Sequence, residues 1–279
     1  MPAATVQSVR KQIAQRTPDP VYLIVGDDDV EMTQVAGELA ALVEEELRPF
    51  NLDRLYAGEK NARPEAIVQA ARTLPMMGDR RVVLVLRAER ILKPKRGQEE
   101  SDEAPGATEA LEAYVKSPEP LTTLVFVASD VDRVRRLFKA LQKHATMVEC
   151  WGLKGSRDGK GVTLQQAARQ AEALVKQAAA GAGQQIEPAA ARLLAERAGL
   201  EIATLRGDME RLLLFAAGKK TITRQDAEQV VTAETSQDDW AVTNAIQRGD
   251  RAEALRQLAL ALEAGGVSYQ ILGQLAWFV

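Results

Sequence analysis

Gly26 is followed by three aspartates, Asp27, Asp28 and Asp29, directly after the apolar run Val21–Val25 and ahead of a helical stretch. Two chemistries could start from such a turn. A phosphate-binding loop, G-x-x-x-x-G-K-[ST], uses glycine amides to cradle phosphates, a lysine to neutralise them and a hydroxyl to hold magnesium. Counted from Gly26, the Gly-Lys-Ser/Thr positions hold Glu31, Met32 and Thr33, and no lysine follows until Lys60. Carboxylates beside a helix N-terminus complement its dipole from within the chain, in the place a phosphate would take. The strand that should end in magnesium-holding acids, VVLVLRAERI, ends instead in Arg87, Ala88 and Glu89. Gly26 to Asp29 therefore read as a degenerate P-loop, which argues against ATP hydrolysis. The second chemistry is magnesium-dependent phosphoryl transfer to Asp27 or Asp29, which have Asp-x-Asp spacing. Glu31, however, stands where a Thr or Val would follow in such hydrolases. The plainer reading makes these acids caps of the helix behind them.

Other residue types offer less. His144 is the single histidine and Cys150 the single cysteine. At a polar helix end and in a buried strand respectively, they make neither a metal set nor a nucleophile pair. No catalytic or metal-binding residues are assigned. The stretch RTLPMMGDRR, residues 72–81, gathers Leu74, Met76 and Met77 around a proline just before an apolar strand. Methionines adapt to irregular pockets, so the tip reads as an outward apolar plug or, equally on residue types alone, as core beneath a sheet edge. A helix over 131–143 places Arg133, Arg136, Lys139 and Lys143 along one face, opposite Val134, Leu137, Phe138 and Leu141. Lys154, Arg157 and Lys160 follow. Such cations suit phosphate backbones without sequence readout, and a solvated amphipathic face explains them as well. With aromatics at 4%, stacking partners for a single-strand reader are missing.

The elements that must position these residues follow from hydrophobic patterning. Val21–Val25 and Val82–Leu86 are apolar runs typical of strands buried on both faces, Asn51–Ala57 is a strand with weaker alternation, and Leu121–Ala128 and Thr146–Cys150 are further strands. Helical stretches lie between them: one carrying Val35, Leu39, Leu42, Val43 and Leu47, another opening at Pro64, and a third near 108–116. Alternation of this kind predicts a parallel sheet with flanking helices. Residues 93–108 read as a polar surface loop. From Val162 onward only helical periodicity remains, with a break at 232–239. The expected domains are 1–152 (α/β), 153–234 (helical) and 235–279, the start of a second helical module that ends abruptly in LAWFV and reads as cut short.

Composition narrows the class. A net charge of −3 excludes a globally basic nucleic-acid coat. One cysteine rules out an internal disulfide framework. No apolar run reaches the roughly 20 residues of a membrane span, and the first 20 residues lack a secretory apolar core, so a cytoplasmic location is expected.

In order and spacing, VYLIVGDDDVEMTQ, ARTLPMMGDRRVVLVLRAERI, LVFVASDVDRVRRLFKAL and AERAGLEIATLRGDMERLLLFAAGKKTITRQDAEQVV resemble the delta subunit of the bacterial DNA polymerase III clamp loader. The resemblance implies an AAA+-like α/β domain without ATPase function, an all-α lid and an all-α collar, here truncated. It implies a non-catalytic subunit of the polymerase holoenzyme, with no cofactor of its own and ATP bound by partner subunits. Its partners would be the beta sliding clamp, the gamma/tau and delta-prime subunits through the collar, and primed DNA. The family's clamp-contacting plug falls on Leu74, Met76 and Met77, where many members carry Leu-Phe instead of Met-Met. Rival readings are the Asp27/Asp29 phosphoryl-transfer enzyme and a different ATPase-inactive AAA+-like loader subunit.

Overall fold

The computed structural model describes residues 4–93, 107–157, 162–235, 242, 245, 246 and 249–263. Most of the loop expected at 93–108, together with Lys160 and much of the module expected at 235–279, lies outside the described residues. Contacts divide the chain into two compact units, Met1–Val162 and Thr163–Val279.

The first unit is built on five parallel strands, β1 (Val21–Gly26), β2 (Leu52–Tyr56), β3 (Arg81–Leu86), β4 (Thr122–Ala128) and β5 (Thr146–Cys150), in the order β2-β3-β4-β1-β5. Every residue of β1 is buried, as a central strand covered on both faces must be. One face packs Leu23, Val25, Val83, Leu124 and Phe126 under helices α4 (Pro64–Arg72), α6 (Ala107–Lys116) and α7 (Arg136–His144). The other packs Tyr22, Ile24, Val82 and Val148 against helices α1 (Val6–Ala14) and α2 (Asp29–Ala40). The parallel, helix-flanked sheet is as the patterning predicts.

Three local expectations are corrected. Helix α2 ends at Ala40, so Leu42, Val43 and Leu47 leave it. Glu44, Glu45 and Glu46 would oppose the dipole of a longer helix, and Pro49 could not donate inside it. The chain instead makes a 3-10 turn at Glu45–Leu47 and the short helix α3 (Arg48–Asn51), while Leu42, Val43 and Leu47 still pack into the core. Helix α7 starts at Arg136 rather than 131, because the Asp132 carboxylate accepts the Val134 amide at 3.0 Å and makes a turn. Val134, expected to pack inward, is therefore 76% exposed. Finally, α1 was not anticipated; it is capped by the Thr5 hydroxyl, which accepts the Ser8 amide at 3.2 Å. The short helix α5 (Glu89–Leu92) follows β3.

The second unit holds helices α8 (Leu164–Gly181), α9 (Pro188–Ala198), α10 (Ile202–Phe215) and α11 (Arg224–Thr235), with a further helix over Arg251–Glu263. A capping box joins Thr163 and Gln166 at the start of α8. Ala167, Ala171, Val175 and Ala179, four residues apart, form its buried stripe. The structure adds a two-residue parallel pair, β6 (Gln185–Ile186) with β7 (Thr221–Ile222), where only helices were expected. Asp208 is fully buried between Arg197 (3.2 Å) and Arg211 (2.5 Å), and Arg197 also donates to the Val231 carbonyl at 2.9 Å. That pairing lets a charge sit inside a small helical core. Among the described residues no helix is long and apolar enough to cross a membrane.

Candidate partner-binding site

The loop between α4 and β3 enters the sheet at the N-terminal ends of its strands. Helix α4 turns its buried residues, Ile67, Val68 and Ala71, to the core, and Thr73 closes it by donating its hydroxyl to the Gln69 carbonyl at 2.9 Å. Beyond that point the apolar side chains turn outward. Leu74 is 66% exposed, Met76 53% and Met77 78%. Of the two readings left open by residue type, the core reading fails and the outward tip holds.

The tip is anchored from below. Asn51, the last residue of α3, is completely buried. Its side-chain oxygen accepts the Met76 amide at 2.7 Å and its side-chain nitrogen donates to the Met76 carbonyl at 2.9 Å. The parallel register of β2 and β3 pairs Leu52 with Val82, which brings Asn51 and the tip to the same end of the sheet. On the far side Arg80 donates to the Thr123 hydroxyl at 3.0 Å, and burial pulls its guanidinium below the ordinary value. Arg81 donates to the Phe50 carbonyl at 2.8 Å and pairs with Asp53 at 2.5 Å. Asn51 carries no signal of this role in the sequence. Nothing in the sequence links it to a residue 25 positions later.

The opposite end of the sheet holds the degenerate P-loop. Gly26 is the last residue of β1, in register with Cys150. A Cβ there would lie 1.9 Å from the Cys150 carbonyl oxygen, so the glycine serves the contact between β1 and β5. The amides of Asp27 and Asp28 both donate to that carbonyl at 3.0 Å, and are therefore already committed. Asp28 is the N-cap of α2, accepting the Glu31 amide at 3.1 Å, as expected of an acid in this place. Asp27 pairs with Lys154 at 3.0 Å. The Cys150 thiol is pushed up to about 12 by burial first and by Glu31 and Asp28 next, so it stays a neutral packing group. Among the described residues no group of three or more His, Cys, Asp or Glu is arranged to hold a metal ion.

The basic residues are brought together only in part. Arg133 lies before α7 rather than on it, and Arg136 sits 3.9 Å from Glu109 and 3.8 Å from Glu112. Lys139 and Lys143 are exposed on α7, as is His144 at its end. Of the following loop, Lys154 is taken by Asp27, and Arg157 pairs with Asp130 at 3.0 Å. Burial alone would raise the Asp130 carboxyl, but Lys93, the Val131 amide and Arg157 together hold it below the ordinary value.

Residues 22–151 match the family described as "DNA polymerase III, delta subunit", a segment that contains both ends of the sheet and the tip. The chain is 25% identical over 254 residues to the DNA polymerase III subunit delta of Bacillus subtilis, covering 90% of this chain and 68% of that protein. Among solved structures it is similar to the Bacillus subtilis DNA clamp loader delta protein (YqeN), with a TM-score of 0.60, 24% identity and coverage of 96% of this chain and 74% of that one. The Thermotoga maritima RuvB Holliday junction branch migration motor shares the fold at 15% identity, with a TM-score of 0.52 and 93% and 81% coverage. These likenesses agree with an AAA+-like sheet followed by helical structure. Over residues 22–151 the resemblance to the DNA polymerase III delta subunit, read first from the sequence, is therefore borne out.

Proposed function

We propose that this chain acts as a clamp-loader delta subunit: it binds the beta sliding clamp and opens its ring so that the clamp can be loaded onto primed DNA. The observation that carries the reading is the tip itself. Leu74, Met76 and Met77 are exposed together on a loop pinned to a buried asparagine, within the segment that matches the delta family. Opening a ring needs no bond chemistry on the opener. It needs a partner that favours the open state over the closed one, and an apolar anchor seated in a pocket supplies that preference.

In this reading the subunit is non-catalytic and binds no nucleotide. ATP is bound and hydrolysed by neighbouring subunits of the gamma/tau type, and the chain joins them and delta-prime through residues 235–279. The committed amides of Asp27 and Asp28 support this, since a phosphate would have to compete with the Cys150 carbonyl for them. The same geometry lends little to phosphoryl transfer at Asp27 or Asp29: Asp27 is ion-paired with Lys154, and Asp29 is the exposed first residue of α2. Arg133, Arg136, Lys139 and Lys143 are the proposed contacts to backbone phosphates of primed DNA, with Lys139 and Lys143 exposed on α7 and Arg136 also near Glu109 and Glu112. A cytoplasmic location follows from the role.

Binding of the full chain to the cognate sliding clamp tests the reading. Met76→Ala/Met77→Ala should weaken it roughly 100-fold, in the range of an interface hot spot. A folded double variant with wild-type affinity would sink it.

A further inference from the structure

A tip of three exposed apolar side chains is useful to a partner only if its backbone is already in the binding conformation, because ordering a loose loop subtracts from affinity. Secondary structure does not supply that order here. Among the described residues no backbone–backbone hydrogen bond involves residues 74–80. A cavity of about 230 Å³ opens beside Met77, so packing does not fix it from that side either. Met77 nevertheless holds a φ of +52°, a left-handed conformation that a non-glycine residue keeps only when its surroundings impose it.

The imposing group is Asn51. Both ends of its buried amide are spent on the backbone of Met76, as a neighbouring strand would spend a peptide group. On the other side of Met77 the chain rests on the same side chain. A Cβ added at Gly78 would lie 3.0 Å from the Asn51 nitrogen and 3.1 Å from a Leu47 methyl. Met77 is thus bracketed between a residue bonded to Asn51 and a glycine packed on it. Replacing Asn51 by an apolar residue would leave a peptide N–H and a carbonyl without their partner, so the lock has no cheap substitute.

We infer that Asn51 is a positioning residue for partner binding: it never touches the partner, but it holds Met76 and Met77 in the binding-ready conformation, with Gly78 as the close-packing element that lets it do so. This rests on the clamp-binding reading above.

The test compares the wild-type chain with Asn51→Ala, Gly78→Ala and Met76→Ala/Met77→Ala, reading clamp affinity and amide hydrogen exchange on each. In the wild type the Met76 amide should be protected, and in Asn51→Ala it should exchange at least about tenfold faster while the amides of β1 and β4 are unchanged. Clamp affinity of that variant should fall about tenfold, less than in the double methionine variant, because the anchoring side chains remain. Gly78→Ala removes no contact group from the tip and should lose affinity in the same direction, so it decides the matter if Asn51→Ala fails to fold. Wild-type affinity in a folded Asn51→Ala or Gly78→Ala chain would overturn the inference, as would a Met76 amide that is unprotected in the wild type. Wild-type affinity in Met76→Ala/Met77→Ala would instead remove the clamp-binding reading, so the two failures are told apart.

Discussion

The two ends of the same parallel sheet are built on opposite plans. At the C-terminal end of β1, where open α/β sheets ordinarily receive ligands, the polar groups from Gly26 to Asp28 are taken up within the protein. Gly26 presses on Cys150, two amides share the Cys150 carbonyl, Asp28 caps α2 and Asp27 holds Lys154. At the N-terminal end of β3 the backbone is held by the Asn51 side chain, yet Leu74, Met76 and Met77 are turned to the outside. The lesson is that a fold can close one site and present another without changing its frame. What differs is what satisfies the polar groups of each turn: chiefly the neighbouring strand β5 and the loop behind it at the first end, a buried side chain beneath the turn at the second.

Substitutions at the closed end should therefore cost stability, and those at the open end should cost binding. The largest effect is expected at Gly26→Ala, whose methyl would collide with backbone rather than with a movable side chain. A loss of about 3 kcal/mol or more is expected, read by urea unfolding, with no gain of nucleotide binding. A mild effect there would mean that the closed end is loose after all. Next comes Asp28→Ala, which removes the cap of α2 and should cost about 1 kcal/mol in the same assay. Met76→Ala/Met77→Ala should change stability by no more than about 0.5 kcal/mol, since both side chains are exposed, however much binding it loses.

Acid sharpens the contrast from a third place. In the helical unit Asp226 is held at about 2, below its ordinary 3.8, first by a hydrogen bond from Lys219 and then by the amide and hydroxyl of Thr223. A carboxyl lowered on folding contributes stability that is complete above its unfolded value and lost as pH falls through the folded one. The contribution should thus fade between about pH 4 and pH 2. Asp226→Asn should flatten that part of the stability profile. The Asn51–Met76 lock holds no titrating group and should add nothing to it.

Much of this was legible before any coordinates, for physical reasons that can be named. Val21–Val25 is uniformly apolar, the pattern of a strand buried on both faces, and every one of its residues is buried. Acids behind a strand and ahead of a helix announce a cap, and Asp28 is one. The exposure of Met76 and Met77 was not legible, because methionine suits a core and an adaptable surface equally. Asn51 was invisible because its partner is distant in sequence and the contact is to backbone, which no residue type reports. The late start of α7 was hidden by a run whose apolar spacing suits a helix but whose Asp132 prefers to close a turn on Val134.

On this reading partner binding resides in the tip and needs no nucleotide on this chain. Titrating the chain against the sliding clamp, with and without ATP and magnesium, measures both at once. The affinity should be the same in both conditions and should fall roughly 100-fold in Met76→Ala/Met77→Ala. Binding that requires ATP on this chain alone, or that survives loss of both methionines in a folded variant, would contradict it.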